Sequence, residues 1–145
     1  MRIFLAAPFF SYGERKVNVE IAEFLRDQGF NVWMAQENPF LKTGDTKEKE
    51  RIFRMDLEAL RESDVVVAIL DGECIDSGTA FELGYAFALG KKIIGLKTDY
   101  RTFSPLEELN LMIEMAVTLI RSPDINQIKK KLLEVILGDK HREGN

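Results

Sequence analysis

Residues 64–70 read Asp-Val-Val-Val-Ala-Ile-Leu, "DVVVAIL". Six apolar residues follow the aspartate without a polar interruption, and three of them are valine. Branching at Cβ favours extended backbone. An unbroken apolar run, rather than strict alternation, marks a strand buried on both faces, as in parallel sheets. Asp71-Gly72 then supplies a turn. The segment is expected to be the central strand of a parallel sheet.

The flanks on both sides fit that placement. Upstream, Ile3–Ala7 is a second apolar run, and Ser11-Tyr12-Gly13 reads as a turn. Glu14–Gln28 carries Val17, Ile21, Phe24 and Leu25 at helical spacing, with Gly29 as a stop. Asn31–Met34 is a short strand, residues 36–46 a polar loop and Lys47–Ser63 a helix. Downstream, "DSGTAFELGYAFALGK" (76–91) is a helix closed by Gly90. Ile93–Leu96 is a strand, 99–105 a loop, Leu106–Met115 a helix and Ala116–Ile120 a fifth strand. Asp124–Leu137 is a last amphipathic helix.

Strands alternating with helices predict an α/β fold. The expected form is a flavodoxin-like, doubly wound five-stranded parallel sheet in a three-layer sandwich. One catalytic domain over 1–138 and a frayed polar tail over 139–145 are expected. Such sheets bind ligands beyond the carboxyl ends of their strands. Here those ends are Ala7-Pro8-Phe9, Ala35-Gln36, Asp71-Gly72 and Lys97-Thr98.

Composition removes several classes. The 145 residues carry a formal net charge of −4, which gives no general attraction to nucleic acid or anionic membranes. The single cysteine, Cys74, excludes an intrachain disulfide, and with the single histidine, His141, it excludes a Cys/His zinc cluster. The N-terminal apolar run is too short to span a membrane and has no signal-cleavage pattern, so a cytoplasmic protein is expected. No G-x-G-x-x-G follows the first strand. Gly84–Lys91 misses the P-loop spacing by one residue and has Lys92 where Ser or Thr is needed.

Four polar residues stand out. Thr79-Ala80-Phe81-Glu82 matches a capping box, so Glu82 reads as a cap. It also lies just beyond a central strand end, where a helix N-terminus favours an ionised carboxylate, so it reads equally as a nucleophile. Asp56 falls within the apolar arc of its helix, formed by Ile52, Phe53, Met55, Leu57, Ala59 and Leu60. A charge there is costly unless paired or neutralised, and burial would suit it to proton donation. The alternative is an aspartate at the open edge of that arc. Asp76 precedes Ser77-Gly78-Thr79 at the helix entry, as an ordinary cap would. Asn110 lies among apolar residues in "LNLMIE", as a satisfied core or turn amide would. An acid paired with a carboxylate nucleophile is the chemistry of retaining glycoside cleavage.

These residues carry a resemblance. "DSGTAFELGYAFALGKK", "RMDLEAL" and "NLM" occur in the order seen in the nucleoside 2-deoxyribosyltransferases and the related nucleotide N-glycoside hydrolases, which the chain resembles over most of its length. The resemblance implies Glu82 as the nucleophile forming a deoxyribosyl ester, and Asp56 as the group handling the base's proton. It implies Asp76, Gly78 and Asn110 around the sugar, with Asn110 and Met112 reaching a neighbouring subunit's site in a homo-oligomer, dimer or higher. Phe9 is expected to stack on the base and Gln36 to meet its edge.

The implied partners are a small deoxynucleoside and a free nucleobase, with no metal and no organic cofactor. Relatives acting on 5′-monophosphates tend to carry Ser at the positions of Asp76 and Asn110. A carboxylate at Asp76 repels phosphate and favours a free nucleoside, although Arg15 and Lys16 offer phosphate another place. Phe4 stands where the transferases often have Tyr, which removes a hydroxyl from the nucleophile's surroundings. Three functions follow: base exchange through a covalent intermediate, hydrolysis of the same bond, or a non-catalytic nucleoside or nucleotide sensor.

Overall fold

The computed structural model describes residues 1–38 and 41–138. Five strands form one parallel sheet: β1 (Arg2–Ala6), β2 (Asn31–Met34), β3 (Val65–Ile69), β4 (Lys92–Lys97) and β5 (Thr118–Arg121). Their order across the sheet is β2-β1-β3-β4-β5. Val65–Ile69 of the apolar run "DVVVAIL" is thus the middle strand, with all five residues buried. In register, Leu5 pairs with Met34 on one side and Val67 on the other, and Val67 pairs with Ile94. The expected flavodoxin-like sheet is the observed one.

Five helices complete the layers: α1 (Tyr12–Asp27), α2 (Thr46–Glu62), α3 (Ser77–Ala88), the single turn α4 (Leu111–Glu114) and α5 (Ile125–Gly138). Side chains of a strand alternate between faces, so the sheet separates two cores. Ile3, Leu5, Val65, Val67, Ile94 and Leu96 pack with Ile21 and Leu25 of α1 and Ile128 and Leu132 of α5. Phe4, Ala6, Val66, Ala68 and Ile93 pack with Leu60 of α2 and Leu83 and Ala86 of α3.

Three local expectations are corrected. Ser11-Tyr12-Gly13 is not a free turn but the start of α1. Ser11 caps it, accepting from the Glu14 amide, while the Glu14 carboxylate accepts from the Ser11 amide in a full capping box. The helix expected over Leu106–Met115 is reduced to α4. The Ser104 hydroxyl accepts from the Leu106 and Glu107 amides in a local turn, and Asn110 caps a new helix by accepting from the Met112 amide. The capping box expected at Thr79–Glu82 is absent. Asp76 caps α3 instead, accepting from the Thr79 amide at 2.9 Å. The tail expected over 139–145 lies outside the described residues.

Gly95 in β4 is held by its neighbours. A Cβ there would lie 2.5 Å from Leu70 Cδ1 and 3.1 Å from Val117 Cγ2. Leu70 is fully buried, so its side chain must shift within the packed core to admit one. Gly95→Val is expected to destabilise the fold by about 1–3 kcal/mol, seen as a lower urea midpoint with an unchanged slope.

Candidate active site

A cavity of about 370 Å³ opens at the carboxyl rim of the sheet. The segment after β1 supplies Ala7, Pro8, Phe9 and Phe10, and the segment after β2 supplies Ala35, Asn38 and Leu41. Helix α2 adds Ile52, Met55 and Asp56, and α3 with its cap adds Asp76, Gly78, Thr79 and Glu82. Glu82, Asp56 and Asp76, singled out separately in sequence, therefore line one space.

Local structure aims each acid. Asp45 caps α2 by accepting from the Glu48 amide, which sets the helix phase. On that phase Asp56 falls beside Met55 and Ile52 at the cavity wall rather than on the solvent side. Its Oδ1 is buried with no hydrogen-bond partner. Asp76 is both a helix cap and a wall of the cavity. Because α3 begins at Ser77, Glu82 lies in its second turn, too far along to cap it. The capping explanation for Glu82 is thereby removed.

The electrostatics follow from that crowding. Burial pushes the Glu82 carboxyl up to about 8, and the negative charges of Asp56 and Asp76 add to the effect. Burial pushes the Asp56 carboxyl up to about 6. The sequence argument that a helix start favours ionised Glu82 is outweighed here, because desolvation and like charge act the other way. Of the other expected site residues, Gly78 lies against Asp76, where a Cβ would sit 3.2 Å from Asp76 Oδ2. Phe9 lines the cavity and stacks with Phe10, ring centroids 5.7 Å apart.

Gln36 is not at the cavity. Its Oε1 accepts from Asn18 Nδ2 at 2.9 Å and its Nε2 donates to the Arg15 carbonyl at 3.3 Å. Asn110 and Met112 are exposed on α4 and do not line the cavity of their own chain.

Sequence reasoning missed the group that fixes the β3–α3 loop. Lys97, fully buried at the end of β4, pairs with Asp99 at 2.6 Å and donates to the Gly72 carbonyl at 3.2 Å. Asp99 accepts from the Gly72 amide, and Asp71 accepts from the Thr98 amide and hydroxyl. The signal was present in "GLKTD", where a charged residue ends an apolar strand.

A flavodoxin-like sheet whose rim gathers three carboxylates over an apolar cavity defines a small-molecule enzyme suited to acid and nucleophile chemistry. Residues 3–131 match the nucleoside 2-deoxyribosyltransferase family, and the chain belongs to that family, whose members are pentosyltransferases acting on N-glycosidic bonds. It is similar to a 2-deoxyribosyltransferase from Bacillus psychrosaccharolyticus, at 30% identity and TM-score 0.74, with 89% of this chain and 90% of that one covered. It is also similar to a CMP N-glycosidase from Clostridium botulinum, at 26% identity and TM-score 0.67, over 91% of this chain and 98% of that one. A 2-deoxyribosyltransferase from Leishmania mexicana, 22% identical with TM-score 0.64 over 82% and 89% of the two chains, shares the fold. No curated protein matches the chain.

The raised Glu82 carboxyl has a stability consequence. It binds its proton more tightly folded than unfolded, so its contribution is fully present below about 4.5 and is lost as pH rises through about 8. Glu82→Gln removes that loss. Calorimetric melting is expected to give a Tm several degrees above wild type at pH 8.5 and a difference near zero at pH 4.5.

Proposed function

We propose that this chain exchanges the base of 2′-deoxynucleosides, with Glu82 as nucleophile and Asp56 as the proton-handling group. The observation that carries the reading is the meeting of Glu82, Asp56 and Asp76 at one cavity wall. A Glu82 oxygen attacks C1′ and the bond from C1′ to the base nitrogen breaks. Its electron pair goes to that nitrogen, which takes the proton of Asp56. The deoxyribosyl ester is then opened by a ring nitrogen of a second base, whose proton returns to Asp56. With carboxyls at about 6 and about 8, the pair holds one proton between those values; it rests on Glu82 in the free site and passes to Asp56 as the substrate binds, which leaves Glu82 ionised for attack. The catalytic unit spans 1–138, and the unpaired, exposed Cys74 suits a reducing cytoplasmic setting.

The sugar's 5′ side supports a free nucleoside. A neighbouring cavity of about 550 Å³ shares Pro8, Phe10 and Asp76 with the first and is also lined by Glu14 and Asp71. Its arginine, Arg101, is already paired with Asp99 at 2.6 Å. Three carboxylates repel a phosphate and accept from a hydroxyl. Water can open the same ester, and the likeness to a CMP N-glycosidase keeps that outcome in the assay. An oligomer is supported by apolar surface that a single chain leaves uncovered. Phe53 and Phe81 touch each other at 6.1 Å on the outer side of α2 and α3, and Leu111, Met112 and Met115 are exposed on and just after α4.

Incubating deoxyinosine with adenine is expected to yield deoxyadenosine by chromatography, with a rate that peaks between pH 6 and 8. Deoxyinosine 5′-monophosphate should react more slowly. Glu82→Ala should cut transfer by at least roughly 10³-fold. Deoxyribose release without any transfer would replace this reading with hydrolysis, and no turnover of any nucleoside would replace it with a sensor. Contribution of Asn110 across subunits has its own test. Glu82→Ala and Asn110→Ala preparations, each inactive alone, should regain activity when mixed and allowed to exchange subunits. No regain would place Asn110 outside the site.

A further inference from the structure

Two rim segments of the cavity come from neighbouring strands: Ala7–Phe10 after β1, and the turn that begins at Ala35 after β2. The first carries the aromatic wall, Phe9 and Phe10. It belongs to no strand or helix, so its backbone groups need partners from elsewhere. The first turns of α1 supply them. The Glu14 carboxylate accepts from the Phe10 amide at 2.9 Å, and Arg15 Nη1 donates to the Phe9 and Phe10 carbonyls at 3.2 Å each. Asn18 Nδ2 donates to the Pro8 carbonyl at 2.9 Å. Residues 14, 15 and 18 reach one segment because positions three and four apart share a helix face.

Asn18 differs from the other two. It is buried, with 3% of its surface exposed. Its amide nitrogen has two N–H groups, and the second goes to Gln36 Oε1 at 2.9 Å. Gln36 in turn donates to the Arg15 carbonyl at 3.3 Å. Asn18 therefore bridges the segment after β1 to the turn after β2. The bridge has a cost. Asn18 Oδ1 is buried with no hydrogen-bond partner, on a helix whose other buried residues are Ile21, Ala22 and Leu25. An orphaned acceptor destabilises, and an apolar side chain would avoid it. Such a group calls for an explanation. What Asn18 secures is the Pro8 carbonyl, one residue before Phe9.

We propose that Asn18 is a positioning residue for the base: by tying Pro8 to Gln36 it holds the Phe9 ring where a base stacks on it. Asn18 borders the neighbouring cavity, not the one that holds Glu82, and its Oδ1 is buried, so it acts through Phe9 rather than on the substrate. This inference rests on the proposed function for placing the base against Phe9, but its binding test does not require turnover.

Binding of deoxyinosine is measured by calorimetry in Glu82→Gln, where it does not turn over, and in the same protein carrying Asn18→Ala, Phe9→Leu or both. Stacking of a base on an aromatic ring is worth roughly tenfold in affinity, so each single change should weaken binding by about that factor. The double change should bind hardly more weakly than Phe9→Leu alone, because the two residues act through one contact. Asn18→Asp keeps the shape, but its carboxylate donates nothing, so it should not rescue. In the Glu82-intact enzyme, Asn18→Ala should raise KM for deoxyinosine about tenfold and leave kcat within about threefold. Circular dichroism checks folding, and Gln36→Leu, which cuts the far end of the bridge, substitutes if the Asn18 variants do not fold. Unchanged affinity, rescue by Asn18→Asp, or a loss of equal size with and without Phe9 overturns the proposal even if transfer occurs. Coupled losses of binding with no transfer by the enzyme uphold it and overturn the transferase reading. Failure of deoxyinosine to bind Glu82→Gln overturns both.

Discussion

A parallel sheet forces every strand to deliver its carboxyl end to the same edge. Strand β3 is buried on both faces and between two neighbours, so its polar exit at Asp71-Gly72 can only emerge at that rim. The same holds for Ala7–Phe10 after β1 and Ala35 after β2. Residues distant in sequence, Asp56 in α2 and Glu82 in α3, meet because α2 and α3 both pack on one face of this sheet and lean over one rim. The chemistry inherits its geometry from that constraint.

The rim would still be floppy without its polar clamps. Buried Lys97 donates to Asp99 and the Gly72 carbonyl, and Thr98 donates to Asp71; together these bonds tie the end of β4 to the turn that precedes Asp76. On the opposite side, Glu48 accepts from the amides of Lys42, Thr43 and Gly44, and these hold its carboxyl down to about 2. That contact anchors the loop behind Leu41 and starts α2. Each clamp uses a charge whose cost is met by hydrogen bonds, whereas in the cavity Glu82 is buried beside the like charges of Asp56 and Asp76.

The sheet was legible because its signals are local and repetitive. "DVVVAIL" and "IFLAA" can hardly be anything but buried strands, and the strand–helix alternation leaves few topologies. Asp56 was legible because a charge inside an apolar arc contradicts its surroundings. What escaped were choices between nearby hydrogen-bond donors and acceptors. Asp76 and Thr79 are three residues apart and either can start a helix. Only the three-dimensional turn decides that Asp76 does so and that Glu82 is left without a capping duty. Gln36 and Asn38 are two residues apart on a single turn, and their amides point to different partners for reasons set by α1 packing against β2. Exposure of Phe53 was equally hidden, since a helix periodicity does not say which part of an apolar arc the rest of the chain covers.

Phe4 connects these points to the electrostatics. It stacks on Trp33 at 4.9 Å and packs in the same core as Leu83, adjacent in sequence to Glu82. A tyrosine there would bring a hydroxyl to the α3 side of the sheet; phenylalanine brings none. Asp76 accepts from the Thr79 amide and hydroxyl, but burial and the negative charges of Asp56 and Asp76 weigh on Glu82, and Asp56 Oδ1 has no partner among the described residues. The free site is therefore uncomfortable when fully ionised, which destabilises the ground state. On the proposed reading, the missing positive charge arrives only as C1′ loses its base and develops oxocarbenium character. The attraction of Glu82 and Asp76 for that charge is absent in the neutral nucleoside and strong at the transition state, in a cavity where apolar walls keep the effective dielectric low. Interactions that strengthen only there accelerate the reaction rather than merely tighten binding. On that reading, phenylalanine rather than tyrosine at Phe4 leaves the ionisation of Glu82 to be favoured by the substrate rather than by a protein hydroxyl.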